Sequence, residues 1–315
     1  MKRYPSVAFV ALLILASPIR NSVADSSQWD WLAGTQWYVP APNLLAYLVS
    51  TTDLSSNVPV SDQTLWNLTS STNGVIVGTS VATFTLGGVS SSSTSAMNGV
   101  VTDTGQIRIV FTLEGTTTQT VGIGQFRTEG TGTQMEMQMI TGSGGPYLTH
   151  WAYMEQIPDP GFVPPSVYPP GTLVSQEWKW MAGTTWTLTA PGIFGTSDPA
   201  QFFVSDYVNG YFWGTGTESA SGGSAAFSQI GNVTPEGNIL FSLLVDGELV
   251  NLAGQIGGTD ASNGTMALRG YIGTDSFGDA AVASVIPEPS VGILLVIAGV
   301  GFYWIRSRKG SRVRV

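Results

Sequence analysis

The chain has 315 residues, of which 43% are hydrophobic and only 10% are charged, and its formal net charge at pH 7 is −9. That length suffices for one large domain or two ordinary ones, and so large an apolar fraction excludes a chain that is disordered throughout. The absence of cysteine excludes disulfides, thiolate nucleophiles and Cys-based metal sites.

The charges are unevenly distributed along the chain. Residues 25–286 contain four Lys and Arg residues against 20 Asp and Glu residues, a formal charge of −16. Nucleic acid and anionic membrane surfaces repel so acidic a body, and we therefore expect neither as its partner.

Residues 1–24 have the three-part pattern of a secretory signal peptide: two basic residues, an apolar stretch, and small residues at the end. We expect signal peptidase to cleave between Ala24 and Asp25 and the chain to be exported. An uncleaved N-terminal membrane anchor is the alternative. Pro18 and Arg20 argue against it because they interrupt the apolar stretch.

The central part of the chain contains two copies of one unit. Residues 28–42 read QWDWLAGTQWYVPAP and residues 177–191 read EWKWMAGTTWTLTAP, a match at a constant offset of 149. The offset of later matches falls to 136 and then to about 131, so the second copy has shorter early loops. This pattern predicts a tandem duplication.

Each copy is predicted to form a module of its own, over 25–156 and over 177–284. Residues 157–176 between them include six prolines. Prolines at that density are incompatible with a sheet interior and favour an extended, semi-rigid linker.

Short apolar alternations separated by Gly, Asn, Asp and Ser indicate an all-β fold. In the first copy the predicted strands are 75–79, 82–86, 107–113, 120–126, 134–140 and 147–153. Their spacing is typical of antiparallel β-barrel or β-sandwich modules, and the sequence leaves both open. Turn sequences near Asp103, Pro235 and Asp246 predict hairpins.

Two further segments of the first copy have their own patterns. Met135, Met137 and Met139 alternate with polar residues, which predicts methionines facing inward and polar side chains facing outward. Residues 42–48 (PNLLAYL) predict one short helix, which has no clear match in the second copy.

The segment Gly34-Thr35-Gln36-Trp37 resembles the Gly-x-Trp at the first strand of lipocalin- and avidin-like barrels, with one residue more between Gly and Trp. The resemblance covers only that strand. It favours a barrel over a sandwich.

The C-terminus carries three elements in a fixed order: a Pro-Glu-Pro triplet, a 15-residue apolar run and a basic cluster. They are Pro287, Glu288 and Pro289, then residues 291–305, then Arg306, Arg308 and Lys309. As a helix the run spans about 22 Å of a hydrocarbon core of about 30 Å, and the basic residues can snorkel to extend it. The basic cluster predicts a cytoplasmic end, with everything before the run outside.

This order resembles the PEP-CTERM sorting signal of exported proteins in Gram-negative bacteria, over about residues 285–315. The resemblance implies recognition by an exosortase, transient anchoring by transmembrane segment 291–305, and removal of the tail near Pro287. It also implies a cell-surface or extracellular-matrix location and an association with exopolysaccharide and biofilm. An unprocessed tail anchor is the alternative, although a simple anchor requires no such triplet.

Candidate catalytic residues are few. His150 is the only histidine, and a lone histidine on a strand is typical of a structural residue rather than of a triad or an imidazole metal site. Glu114, Glu129 and Glu136 on neighbouring strands are candidates for the carboxylate pair of glycoside hydrolysis. Glu136 has no equivalent carboxylate in the second copy, and none of the three lies in a recognisable local motif, which favours solvated positions. We therefore expect no enzyme activity, no metal and no cofactor.

The tryptophans are more distinctive than the candidate catalytic residues. Trp29 with Trp31, and Trp178 with Trp180, are predicted to lie on strands and to point to one face. Exposed pairs would stack on sugar rings, whereas buried pairs would plug the end of a barrel. Large aromatic area is usually buried, which favours the plug.

Three functions follow from these patterns. The predicted one is an exported, surface-sorted, non-enzymatic protein of the exopolysaccharide or biofilm matrix. The alternative is a carbohydrate- or small-ligand-binding protein that uses a barrel mouth or a Trp face, and the third is a glycoside hydrolase. Filled barrel interiors would favour the first, and solvent-exposed Trp29 and Trp178 the second.

Overall fold

The computed structural model of the chain describes residues 26–40, 45–50, 52–129, 132–143, 147–159, 161–163, 175–190, 199–220, 223–272 and 275–286. The predicted signal peptide with its cleavage site at Ala24 and Asp25, and the sorting signal from Pro287 onward, lie outside these residues. Within them, no helix has the length and apolar character needed to cross a membrane.

The protein is all-β and contains two closed antiparallel barrels, which decides between barrel and sandwich. The strands of the first barrel are β1 (Gln36–Tyr38), β2 (Leu45–Val49), β3 (Asn57–Thr72), β4 (Val75–Leu86), β5 (Val89–Val101), β6 (Gln106–Leu113), β7 (Gln119–Glu129), β8 (Gly132–Ser143) and β9 (Tyr147–Gln156). Pairing of β3 with β4 closes the sheet. Both β1 and β2 lie between β3 and β9, so together they occupy one of eight strand positions.

The second barrel has one strand at each of its eight positions. They are β10 (Thr185–Thr189), β11 (Ala200–Val208), β12 (Tyr211–Ala220), β13 (Gly223–Val233), β14 (Asn238–Val245), β15 (Glu248–Gly257), β16 (Thr265–Ile272) and β17 (Asp275–Val285). Each strand pairs with the next along the chain, and β10 pairs with β17 to close the barrel.

Most strand and turn predictions are confirmed. Predicted strands 75–79 and 82–86 are one continuous strand, β4, and the other four lie within β6 to β9. Turns at all three predicted hairpins connect paired antiparallel strands. Asn73 and Asn209, each followed by Gly, have φ of 48° and 50°, the left-handed conformation that two-residue hairpin turns require.

The split between β1 and β2 differs from the sequence prediction. Residues 45–48, predicted to be helical, are strand because β2 pairs with β3 and with β9, and such tertiary pairing overrides local propensity. Where the chain leaves the sheet at Val39, the Gln63 amide accepts a hydrogen bond from the Val39 N–H (3.3 Å) and donates to its carbonyl (3.2 Å). The side chain thereby adds to the backbone bond that the Val39 N–H donates to the Thr64 carbonyl (3.3 Å) at the break.

Bulky side chains occupy both barrel interiors. Trp37 and Trp66 are fully buried in the first barrel, together with Met135, Met137 and Met139, so the predicted inward direction of the methionines is confirmed. In the second barrel Trp186 stacks on Phe202 with ring centroids 6.0 Å apart, and Phe202 contacts Phe241 at 6.1 Å.

The barrels pack against each other through their outer faces. Strands β8 and β9 of the first barrel contact β13, β14 and β15 of the second. An apolar cluster crosses this interface, and its buried members are Tyr47, Val49, Leu54, Trp151, Tyr211, Ile230 and Leu244. The backbone N–H of Trp151 donates to the Tyr211 hydroxyl at 3.1 Å, and the Leu54 N–H donates to Ser228 Oγ at 2.8 Å.

A polar network lies beside that cluster. Gln138 Nε2 donates to Asn232 Oδ1 at 2.7 Å and to the Asn238 carbonyl at 2.9 Å, and Asn232 Nδ2 donates to Thr149 Oγ1 at 2.8 Å. Gln138 and Asn232 are 1% and 0% exposed. The polar residues between the methionines of β8 thus face outward as predicted, but the second barrel covers them.

Candidate functional site

The first two tryptophans of each copy of the duplicated motif lie on a short helix or directly before it, not on strands. A 3-10 helix (Ser27–Leu32) carries Trp29 and Trp31, and a second (Lys179–Met181) carries Trp180 and is preceded by Trp178. The strand prediction for these residues is therefore wrong. The extended backbone begins only after Gly34 and Gly183, which both have φ of 79° and turn the chain in a conformation that favours glycine.

Equivalent contacts hold the two tryptophan helices on their barrels. Trp29 Nε1 donates to the Thr102 carbonyl at 2.7 Å, and Trp178 Nε1 donates to the Thr234 carbonyl at 2.9 Å. Trp29, Trp178 and Trp180 are partly buried against the barrel cores. Trp31 is 43% exposed. This packing supports the plug over the sugar-stacking face.

The Ala-Gly-Thr-x-Trp sequence has a structural explanation in both copies. Thr35 Oγ1 donates to the Leu32 carbonyl at 2.6 Å and accepts from Trp37 Nε1 at 2.9 Å. In the second copy, Thr184 Oγ1 donates to the Met181 carbonyl and accepts from Trp186 Nε1 at 2.8 Å. One hydroxyl therefore closes the helix and satisfies a buried indole.

His150 lies inside the first barrel against an acidic partner. Its Nδ1 is 2.8 Å from Asp62 Oδ2, and the two side chains are 0% and 1% exposed. The contact lacks hydrogen-bond geometry, and neither ring nitrogen has a hydrogen-bond partner. This burial closes both side chains off from solvent. The sequence analysis did not predict Asp62 as the partner of His150, because Asp62 lies on β3 and His150 on β9, and no local sequence pattern connects the two.

The three candidate carboxylates of the sequence analysis do not form a catalytic pair. Glu114 is exposed in the turn that follows β6. Glu136 lies near the other end of that strand, because Gln106 at the start of β6 pairs with Gln125, and Gln125 pairs with Glu136. The side chain of Glu129 lies outside the described part of the structure. Glu136 is 3% exposed, so its predicted solvated position is wrong.

Glu136 belongs to a cluster at the barrel interface. Asn238 Nδ2 donates to its Oε1 at 2.6 Å, and Arg127 lies 3.6 Å from its Oε2 and 2.8 Å from Oε1 of Glu236. Tyr153 donates to the Glu236 carboxylate at 3.1 Å and lies under the Arg127 guanidinium. Arg127 thus contacts both carboxylates. In a glycosidase, by contrast, the space between the two catalytic carboxylates is left open for the sugar.

The electrostatics of this cluster reflect its burial. Removal from water raises the pKa of Glu136, and the charge of Glu236 raises it further, although the Asn238 hydrogen bond acts in the opposite direction. Burial likewise raises the pKa of Tyr153. A buried carboxyl with a raised pKa is a common feature of functional sites, but buried interfaces also produce it.

A cleft of about 710 Å³ lies between the barrels next to this cluster. Strands β5 to β8 line it on one side and β14 to β17 on the other. The side chains that give it its chemistry are Arg108, Gln125, Ile123, Ala253, Gln255 and Arg269. Its volume is in the range of small-molecule sites, and we identify it as the candidate functional site.

No protein-family model, curated protein or solved structure matches the chain. The sorting motif Pro287, Glu288 and Pro289, and the basic cluster Arg306, Arg308 and Lys309, lie outside the described residues. Sorting therefore stays a prediction from the sequence. The cleft was not anticipated, because residues from separate copies form it and neither copy alone carries a recognisable motif.

Proposed function

We propose that the chain is an exported, surface-sorted, non-enzymatic protein of an exopolysaccharide or biofilm matrix, processed by signal peptidase and by an exosortase. The observation that carries this proposal is the ordered C-terminal arrangement of Pro-Glu-Pro, apolar run 291–305 and basic cluster. A signal-peptide pattern over residues 1–24 supports it, because a chain sorted at the outer face of the membrane must first be exported.

The packing of the barrels supports the non-enzymatic part of the proposal. Small barrels that hold a ligand in the lumen need space there, whereas Trp37, Trp66 and Trp186 are fully buried inside these barrels. The tryptophan motif serves to attach a helix to each barrel. The single histidine is buried, and the neighbouring carboxylates Glu136 and Glu236 both contact Arg127.

The test is the intact mass of the mature protein from an exosortase-bearing Gram-negative host and from the same host without the exosortase. We expect an N-terminus at Asp25, and loss of the tail from near Pro287 only where the exosortase is present. The variant Glu288→Ala should retain the tail, whereas Glu248→Ala, a matched change at the exposed first residue of β15, should be processed normally. A mature wild-type protein that keeps Arg306 in the exosortase-bearing host contradicts the proposal.

A further inference from the structure

Equivalent residues of the two copies line the cleft between the barrels. By the sequence match, Asn238 in the second copy is the equivalent of Gln106 in the first. In the same way, Gln255 is the equivalent of Gln125. All four line the cleft, and Gln138 lines it with them. The cleft therefore presents side-chain amides from both barrels.

Strand pairing sets two of these amides side by side on each wall. In the first barrel, Gln106 of β6 is the pairing partner of Gln125 of β7. In the second barrel, Asn238 of β14 is the pairing partner of Gln255 of β15. Directly paired residues of an antiparallel sheet have Cβ atoms about 5 Å apart on the same face. The spacing of the two amides on each wall is thus fixed by the sheet.

Hydrogen bonds within the protein orient the amides of the second barrel. Asn238 Nδ2 donates to Glu136 Oε1 at 2.6 Å, and Gln255 Nε2 donates to the Glu236 carbonyl at 2.7 Å. Gln106, Gln125 and Gln255 are exposed. Their amide groups therefore contact the solvent that a ligand in the cleft displaces.

The charges around the cleft disfavour an ionic ligand of either sign. Glu136 lies in the lining together with Arg108 and Arg269, so the lining carries both signs of charge. The protein body, with a formal charge of −16, repels anions, and the arginines repel cations. A neutral ligand meets neither penalty.

The closed sheets decide between two classes of neutral polymer, extended peptides and saccharides. An extended peptide is commonly bound by strand addition, which requires an unpaired sheet edge. Both barrels are closed, so neither offers such an edge to the cleft. Side-chain amides remain, and each of them both donates and accepts hydrogen bonds, as a hydroxyl group does. Adjacent amides therefore match the neighbouring hydroxyls of a sugar.

Aliphatic side chains complete the walls. Val100 on β5 is 48% exposed and Val282 on β17 is 56% exposed, and both line the cleft. They offer an apolar surface to the C–H groups of a sugar ring. None of the described residues that line the cleft is aromatic, so hydrogen bonds and aliphatic contacts, rather than ring stacking, hold the ligand.

We propose that the cleft binds a neutral saccharide chain. Gln106 and Gln125 bind its hydroxyl groups from one wall, and Asn238 and Gln255 bind them from the other. A chain of repeating sugar units suits this arrangement, because the equivalent walls present matching pairs of amides. The site is separate from the tryptophan helices and does not depend on the sorting proposal. Binding and processing are measured independently, so either one can fail without the other.

The experiment is calorimetric titration of the full chain, in a detergent without a sugar headgroup, with three neutral probes: maltotriose, cellotriose and mannotriose. The variants are Gln106→Leu, Gln125→Leu and the double variant. The control is Gln201→Leu, the same change at an exposed position of β11 that does not line the cleft.

We expect at least one of the three probes to bind the wild type. Each single variant should bind it about two- to tenfold more weakly, and the double variant at least about tenfold, because each change removes the hydrogen bonds of one amide. Gln201→Leu should bind like the wild type. Thermal unfolding checks that all the variants are folded.

Two further ligands test the class: trigalacturonate, which is anionic, and an uncharged peptide of five alanines with blocked ends. The proposal requires the best neutral sugar to bind at least about tenfold more tightly than either, since a tenfold ratio separates recognition from general attraction. A smaller ratio overturns it and assigns the cleft to anions or to polypeptides. Failure of all three neutral probes to bind also overturns it, as does unchanged affinity in the double variant.

Discussion

Oδ2 of Asp62 lies 2.8 Å from Nδ1 of His150 inside the first barrel, and both side chains are buried. Both groups are polar and buried, and a buried polar group left without a partner costs about 1 to 3 kcal/mol. We expect Asp62→Asn to lower the free energy of unfolding by about 1 to 3 kcal/mol, measured by denaturant titration.

The matched control is Asp103→Asn in an exposed turn, which should change the free energy of unfolding by less than about 0.5 kcal/mol. A double variant, Asp62→Leu with His150→Leu, should lose less than the sum of the two single variants, because it removes both members of the pair. Equal effects of Asp62→Asn and Asp103→Asn would show that the pair does not stabilise the barrel.

Glu136 predicts a pH dependence of stability. Burial raises its pKa in the folded chain, so the folded state binds the proton more readily than the unfolded state. The resulting stability is fully present below the unfolded pKa and is lost as the pH rises through the raised value. Glu136→Gln should therefore be more stable than wild type at pH 8, and the difference should shrink as the pH is lowered to 4.

Glu236→Gln is the control for that titration. Glu236 is partly exposed and lies 2.8 Å from Arg127, so its removal loses an ion pair without relieving a buried charge. We expect no gain in stability at pH 8 from this variant. A Glu136→Gln variant that is less stable than wild type at pH 8 would mean that the Arg127 contact outweighs the cost of burying the carboxylate.

The threonine of the duplicated motif predicts a stability effect in each barrel. Thr184→Val removes the acceptor of the buried Trp186 Nε1, and an unsatisfied buried donor costs about 1 to 3 kcal/mol. Thr187→Val, the same change at a half-exposed position of β10, is the control and should be nearly neutral. The readout is thermal unfolding, with the red shift of tryptophan emission as a second signal. Equal melting temperatures for the two variants would contradict the assigned role.

The polar network between the barrels predicts that they unfold together. Gln138→Leu leaves Asn232 Oδ1 and the Asn238 carbonyl without this donor, and we expect a loss of about 1 to 3 kcal/mol. Calorimetry should show one transition for wild type and a broadened or divided transition for the variant. Gln125→Leu, at an exposed position of β7, should keep the single transition. A variant that unfolds like the wild type would place interface stability in the apolar cluster alone.

Much of the fold was predictable because its signals are local. Alternation at period two along residues 134–140 assigned the methionines to the core, and the Asn, Asp and Gly residues of the turns define hairpins whatever surrounds them. The first two tryptophans of each copy were wrongly placed on strands, because spacing by two residues also occurs on a 3-10 helix such as the one that ends before Gly34. The strand at 45–48 was missed because its extended backbone depends on pairing with β3 and β9.

The sequence by itself determined the all-β class and the repeated pattern of the two copies, and it predicts address signals at residues 1–24 and 285–315, because each depends on residues close together in the chain or on an offset between copies. Only the tertiary structure decided that the sheets close, that Asp62 meets His150, and that Arg108 and Arg269 line one cleft. The first two outcomes depend on pairing between strands far apart in one copy, and the third depends on which outer faces of the two barrels meet. Docking covers Glu136 and Gln138 with the second barrel, and no local pattern distinguishes an outward polar residue that stays in water from one that does not.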